Sequence, residues 1–282
     1  MTVREIIRSA ERSLEENGTD DAEFEARQLL VFAAGVKHGG MDPCSEINRQ
    51  TEEKFSGLLF RRLQGEPLQY ILGEWDFYRY SFYCGSGVLI PRPETEELTE
   101  KCIRFIKKHG VKRVLDLCSG TGCIGISIAL DCPQTEVVCV EKYDAAYSYL
   151  VKNIEKHGVK NVIPVKDDAL APSKVGGTFG LIVSNPPYIE SCEIPLLQKE
   201  VLSEPLTALD GGKDGLDFYR AIKKYRLGEL EAGGLLAVEC GEKQTAEVAA
   251  LFSDECETEC FNDIYGNPRI VTALKKTAEP CR

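Results

Sequence analysis

Val114-Leu115-Asp116-Leu117-Cys118-Ser119-Gly120-Thr121-Gly122-Cys123-Ile124-Gly125 decides how the rest of the chain is read. A short apolar run gives way to closely spaced glycines and then to a second apolar run. That order predicts a buried strand turning through a glycine loop into a helix. Working outward from it, the pattern from Val111 onward alternates strand and helix, the signature of a parallel sheet with crossover helices. Strands are predicted near 113–117, 136–141, 161–165, 180–184 and 234–239, and two more between Glu257 and Leu274 as an antiparallel finish. Lys108-His109-Gly110-Val111-Lys112 and Lys156-His157-Gly158-Val159-Lys160 are the same five residues, each reading as a glycine-capped helix end that leads into a strand. His109 and His157 are accordingly helix C-terminal residues, and no catalytic histidine is evident.

Upstream, the pattern changes twice. Residues 2–17 predict a helix, with Thr2 and Glu5 at capping-box spacing and Asn17-Gly18 as the stop. A second helix runs from Asp20 and Asp21 to about Ala34, and a third from about Thr51 to Leu63, ending at Gly65. Such a module either packs on the sheet or handles a partner. From residue 68 aromatic and β-branched side chains crowd in between Gly73, Gly85 and Gly87, which reads as a hairpin-like connector. Pro93 then opens a helix whose first turn carries Glu94, Glu96 and Glu97, where carboxylates complement the dipole. The expected division is a helical domain over 1–66, a connector over 67–91 and a sheet domain over 92–282.

Gly120, Gly122 and Gly125 match G-x-G-x-x-G, so a dinucleotide oxidoreductase has to be weighed. Asp116 argues against it. A carboxylate at the strand tip repels a pyrophosphate but suits the ammonium of an amino-acid-like ligand, which favours S-adenosylmethionine. Glu141 ends the next strand at the spacing where a carboxylate accepts from ribose hydroxyls, as it would for either cofactor. Asp168 is placed to accept from an adenine amino group, with Ala169 and Leu170 along the ring and Asp167 as a competing choice.

The second stretch with chemistry is Ser184-Asn185-Pro186-Pro187-Tyr188, directly after the apolar run Leu181-Ile182-Val183. Consecutive prolines fix φ and cannot donate to a ladder, so the strand ends there, and Asn185, preceding a proline, is held extended at its tip. Asn-Pro and Pro-Pro are ordinary turn punctuation. Position favours more than a turn, because the corner sits at the carboxyl end of a buried strand, where open α/β sheets place ligands. The Asn185 side-chain oxygen and the Pro186 carbonyl would then be two fixed acceptors suited to a planar NH2 group, with the Tyr188 ring beside them.

Composition narrows the field. The chain has 282 residues, 43% hydrophobic and 28% charged, as in ordinary soluble proteins. No apolar run reaches the length of a membrane span and the start lacks a signal-peptide core, so the expected compartment is the cytosol. Twelve cysteines are scattered without C-x-x-C spacing and histidines number only three, so no metal site is expected. A net charge of −11 argues against an extended nucleic-acid surface.

Taken together, Asp116-x-x-x-Gly120-x-Gly122, Glu141 and Asn185-Pro186-Pro187-Tyr188 resemble class I methyltransferases that act on planar amino groups. Gly65-Glu66-Pro67-Leu68-Gln69-Tyr70-Ile71-Leu72-Gly73, Leu89-Ile90-Pro91-Arg92-Pro93-Glu94-Thr95-Glu96, and Glu204-Pro205 through Leu209-Asp210-Gly211-Gly212-x-Asp214-Gly215-Leu216 narrow the resemblance to the HemK/PrmC protein-glutamine methyltransferases. With Gly266-x-x-Arg269-Ile270-Val271 the match spans essentially the whole chain. The resemblance implies an α/β, class I S-adenosylmethionine-dependent methyltransferase, Rossmann-like with a mostly parallel seven-stranded sheet, and a small N-terminal helical domain for substrate recognition. It implies methyl transfer to the side-chain amide nitrogen of the glutamine in the Gly-Gly-Gln loop of peptide chain release factors. The expected protein is a cytoplasmic monomer with neither nucleic acid nor membrane as partner. A ribosomal-protein glutamine is the alternative substrate, and an adenine amino group of nucleic acid a more distant one. On this resemblance Asn185, Pro186 and Tyr188 are catalytic; Asn185, Pro186, Pro187 and Tyr188 hold the substrate. Asp116, Cys118, Ser119, Gly120, Thr121, Gly122, Glu141, Asp168, Ala169 and Asn185 hold the cofactor. The chain departs from the family pattern at Cys118, where glycine is common, at Glu141, where aspartate is common, and at Ala169, where a larger apolar or aromatic residue often sits.

Overall fold

The Thr2–Glu5 spacing does what capping-box chemistry requires. The Thr2 hydroxyl accepts from the Glu5 N–H and the Glu5 carboxylate accepts from the Thr2 N–H at 2.9 Å, heading helix α1 (Val3–Glu16). Helix α2 (Ala22–Ala34) ends on Gly35. Helix α3 (Arg49–Leu63) starts two residues before the predicted Thr51, because Asn48 caps it and accepts from the Thr51 N–H at 2.9 Å. A computed structural model describes residues 1–36, 41–172 and 174–277. The chain divides into two units, one of residues 1–74 with Gln198–Ser203, the other of Trp75–Leu197 with the residues from Glu204 onward.

The helical unit buries Leu14, Ala26, Leu29, Leu30, Phe55 and Leu58 between α1, α2 and α3. It also buries Arg62, whose guanidinium meets the Glu25 carboxylate at 2.5 Å and that of Glu200 from the Gln198–Ser203 segment. A buried guanidinium survives only when paired in this way. Helical periodicity from Phe55 to Leu63 gave no sign of it. Helix α4 (Leu68–Leu72) and a two-stranded sheet of β1 (Glu74–Phe77) and β2 (Tyr80–Tyr83) occupy most of the predicted connector.

The second unit then alternates as expected: α5 (Glu94–His109), β3 (Arg113–Leu117), α6 (Cys123–Asp131), β4 (Glu136–Glu141), α7 (Asp144–His157), β5 (Val162–Lys166), β6 (Phe179–Ser184), α8 (Asp217–Tyr225), β7 (Leu230–Glu239), α9 (Thr245–Phe252), β8 (Cys256–Asn262) and β9 (Pro268–Lys275). The seven-stranded sheet has the order β5-β4-β3-β6-β7-β9-β8, parallel from β5 through β7, with β9 antiparallel to both β7 and β8. Both faces are covered, so the central strands read as continuous apolar runs. Val114, Val137, Leu181 and Val183 pack toward α5, α6 and α7, while Leu115, Leu117, Ile182 and Val238 pack toward α8 and α9.

Candidate active site

Strand β3 lies third in the sheet, beside the central β6; the chain runs outward from it through β4 to β5 and then crosses back to lay β6 on its other side. Such a reversal opens a crevice at the carboxyl ends of the two strands. The register makes it narrow: Leu117 pairs with Ser184, and the Ser184 hydroxyl donates to the Leu117 carbonyl at 2.7 Å. The glycine turn leaving β3 and the proline tip leaving β6 therefore emerge side by side. Between them lies an open cleft, walled also by residues 87–92 and 207–208.

The turn is tight because its backbone enters the left-handed region three times, at Cys118 (φ +58°), Gly120 (+55°) and Gly122 (+80°). Glycine takes that conformation freely; Cys118 takes it against its Cβ, at a cost of roughly 1–2 kcal/mol. Cys118, Ser119, Gly120 and Thr121 line the cleft and Gly122 does not. Neither does Asp116, which corrects its expected place opposite a ligand ammonium. The side chain is fully buried beneath the turn, where Oδ2 accepts from the Gly125 N–H at 3.1 Å and Oδ1 lacks a partner among the described residues. Burial pushes its carboxyl up to about 7.

Glu141 ends β4 at the cleft wall, nearly buried, its Oε2 accepting from the Gly120 N–H at 3.0 Å and its Oε1 from the Tyr143 N–H at 2.9 Å. Burial raises its pKa against the pull of these backbone donors. A carboxylate has about four lone-pair sites, so these backbone donors do not exhaust it. Beyond β5 the choice between two aspartates left open by the sequence acquires a geometry. Asp167 accepts from the Lys174 N–H at 3.0 Å and lies 3.6 Å from the buried Arg226 guanidinium, so its charge is committed to the loop. Asp168 pairs with Lys142 at 2.9 Å, with a third of its side chain exposed at the rim, and Ala169 lies next to it in the lining. Arg226 also donates to the Asp168 carbonyl at 2.9 Å. Sequence reasoning missed this arginine, since nothing in a single basic residue at a helix end signals burial.

At the tip, Asn185 and Pro187 line the cleft; Pro186 is buried outside the lining, and Tyr188 lies outside it as well. The Tyr188 carbonyl accepts from Gln244 Nε2 at 2.9 Å, its hydroxyl oxygen is 3.4 Å from Arg269 Nη1, and burial raises the phenol's pKa. Asn185 Nδ2 donates to the Thr95 hydroxyl at 3.0 Å, and that hydroxyl lies 2.6 Å from Glu239 Oε2. Two of the stretches that carried the resemblance turn out to hold this arrangement. The Gly211 N–H donates to the Ile189 carbonyl at 2.8 Å, and a Cβ on Gly211 would sit 2.7 Å from Tyr188 Cα, so only glycine lets the loop seat the tip. The buried Glu204 carboxylate accepts from the Ile90 N–H at 2.9 Å and pairs with Arg92, fixing the opposite wall.

A family model described as the PrmC N-terminal domain matches residues 5–73, and one described as the methyltransferase small domain matches 96–212. The release factor glutamine methyltransferase of Thermodesulfovibrio yellowstonii is 40% identical over 236 residues, 82% of this chain and 84% of the relative. That of Geobacter sulfurreducens is 37% identical over 96% of this chain and 95% of its own. The chain belongs to the release factor glutamine methyltransferase family. Among solved structures, the hMettl16 catalytic domain in complex with a MAT2A 3'UTR hairpin covers 71% of this chain and 78% of its own, with a TM-score of 0.53 at 13% identity, a likeness of fold alone. Family membership makes this an enzyme of the methyltransferase class, with the mostly parallel seven-stranded sheet expected for class I.

Proposed function

We propose that the protein transfers the methyl group of S-adenosyl-L-methionine to the side-chain amide nitrogen of the glutamine in the Gly-Gly-Gln loop of peptide chain release factors. The observation that carries this reading is the in-register pairing of Leu117 with Ser184, which sets Asn185 beside the glycine turn at one cleft.

The residues of the cleft fit the cofactor. Glu141 keeps acceptor capacity beyond its backbone donors for a ribose hydroxyl. Asp168 at the rim is an acceptor for the adenine amino group, with Ala169 and Leu170 along the ring. Cys118, Ser119, Gly120 and Thr121 wall the inner end. Asp116 and Gly122 act from underneath, by holding the turn in shape. When bound, S-adenosylmethionine supplies an electrophilic methyl group on a sulfonium.

The chain's own residues supply alignment. An amide nitrogen is a poor nucleophile because its lone pair is delocalised into the carbonyl. Asn185 Oδ1, accepting an amide hydrogen, orients the nitrogen and stabilises the positive charge that grows on it; Pro186, expected as the second acceptor, lies outside the cleft lining and is assigned no contact with the amide. Pro187 closes the substrate side of the cleft, and Tyr188, outside the lining, anchors the tip through its carbonyl to Gln244. No base has to act before the carbon–nitrogen bond forms, since the proton becomes acidic only as it does. The helical unit, with Phe24, Phe32 and Phe60 exposed, is read as the surface that recognises the release factor. Among the described residues no helix is long and apolar enough to cross a membrane. We read the enzyme as a cytoplasmic monomer, which sedimentation of the full chain checks.

Peptide mass spectrometry after incubation of a release factor with the enzyme and cofactor should locate one added methyl on the Gly-Gly-Gln glutamine. An unmodified release factor beside a methylated ribosomal-protein glutamine or methylated nucleic acid would replace this reading with one of its alternatives.

A further inference from the structure

Asn185 serves as an acceptor only while the oxygen of its amide, rather than the nitrogen, is turned to the substrate. The two ends of a carboxamide are almost the same size, so packing alone does not choose between them. We propose that Thr95 and Glu239 are positioning residues that make this choice, holding Asn185 with Nδ2 inward and Oδ1 toward the cleft; the proposal rests on the functional reading above.

Each step follows from counting hydrogens. Glu239 ends β7, 2% exposed, and an ionised carboxylate accepts without donating. Thr95, a residue of the cleft lining that is also 2% exposed, has one hydroxyl hydrogen and gives it to Glu239 Oε2 at 2.6 Å. That leaves lone pairs only. Asn185 must therefore offer a donor, and Nδ2 lies 3.0 Å from the hydroxyl, which puts Oδ1 on the other arm of the amide. Glu239 is buried and lies outside the cleft lining, so its carboxylate depends on the Thr95 hydroxyl rather than on water.

The charges facing Glu239 bear on the same relay. Arg269 on β9 and Arg92 ahead of α5 favour its ionised form, and Glu94 at the start of α5 opposes it. Tyr188 and Cys240 lie beside it, and Tyr219 on α8 donates to its backbone carbonyl at 2.8 Å. Burial outweighs these charges and the Thr95 hydrogen bond, and pushes the carboxyl up to about 7. A protonated Glu239 donates to Thr95, frees the threonine hydrogen for Asn185 and turns the amide round, presenting an NH2 group to a substrate that is itself an NH2 group.

Thr95→Val and Thr95→Ser, assayed in single turnover with saturating cofactor and release factor, test the relay. Valine should lower the rate constant about 10-fold, the loss of one hydrogen-bonded orientation, with cofactor affinity within about twofold of wild type, and serine should restore it. A valine variant as fast as wild type, one that changes only the KM, or a serine variant as slow as valine would overturn the proposal. Should the valine variant not fold, the wild-type rate against pH decides: an acid limb near 7 shared by Thr95→Ser supports the relay, and a flat profile refutes it. Asn185→Ala run alongside separates the two ideas, because full activity there removes the underlying reading rather than the relay.

Discussion

The glycine turn after β3 and the proline tip after β6 meet at one cleft, yet they present their chemistry differently. The turn offers backbone groups whose directions follow from left-handed φ angles at Cys118, Gly120 and Gly122. The tip offers one side-chain amide whose direction depends on Thr95 and Glu239, from distant parts of the chain. On the function proposed above, backbone geometry of this kind governs cofactor binding and amide direction governs the rate of methyl transfer. Damage on one side should leave the other's observable in place.

The sharpest challenge to that separation is Gly211→Ala. A new Cβ 2.7 Å from Tyr188 Cα and 2.9 Å from Gly215 Cα meets backbone on both sides and has to push the tip. Displacements near an ångström cost on the order of 10²-fold in rate, so turnover should collapse while calorimetric affinity for the cofactor changes little. Glu141→Ala is the converse. Losing charged hydrogen bonds worth about 1.5–3 kcal/mol should weaken cofactor binding roughly 10- to 100-fold and leave the rate at saturation close to wild type; a rate loss at saturation with unchanged affinity would reverse the roles assigned to the two rims.

Two smaller effects sharpen the comparison within the turn. Asp116 has a folded pKa raised from 3.8 to about 7, so the stability it contributes is fully present below pH of about 4 and is lost as pH rises toward 7. Asp116→Asn should flatten the dependence of the urea midpoint on pH over that window, and an unchanged slope would mean that Asp116 does not titrate there. Cys118→Gly relieves a left-handed residue at the cost of a freer unfolded chain, so a net gain under about 1 kcal/mol is expected. A thermal scan reads it as a small rise in midpoint.

Much of the fold was legible because its signals are local. The Thr2–Glu5 pair, the apolar runs of β3, β4 and β6, and the glycines after β3 each announce their element within a few residues. The double proline likewise fixed the end of β6. Hydrogen-bond partners far apart in sequence were not legible. Arg62 between Glu25 and Glu200, Arg226 under Asp167 and Asp168, and Glu204 on Ile90 and Arg92 depend on tertiary placement that no periodicity encodes. Asp116 shows the limit most clearly. Its position at the strand tip suggested a ligand contact, but the register buries it under Gly125, and Thr95 entered only as part of a motif until the fold set it against Asn185.

The most direct measurement pairs single-turnover methylation of a release factor by Asn185→Ala with the same variant's affinity for S-adenosylmethionine. The rate should fall on the order of 10²-fold or more, as when one preorganised hydrogen-bonding group is deleted, with affinity essentially retained. A variant that binds the cofactor and methylates the glutamine at the wild-type rate would contradict the assignment of the acceptor to Asn185.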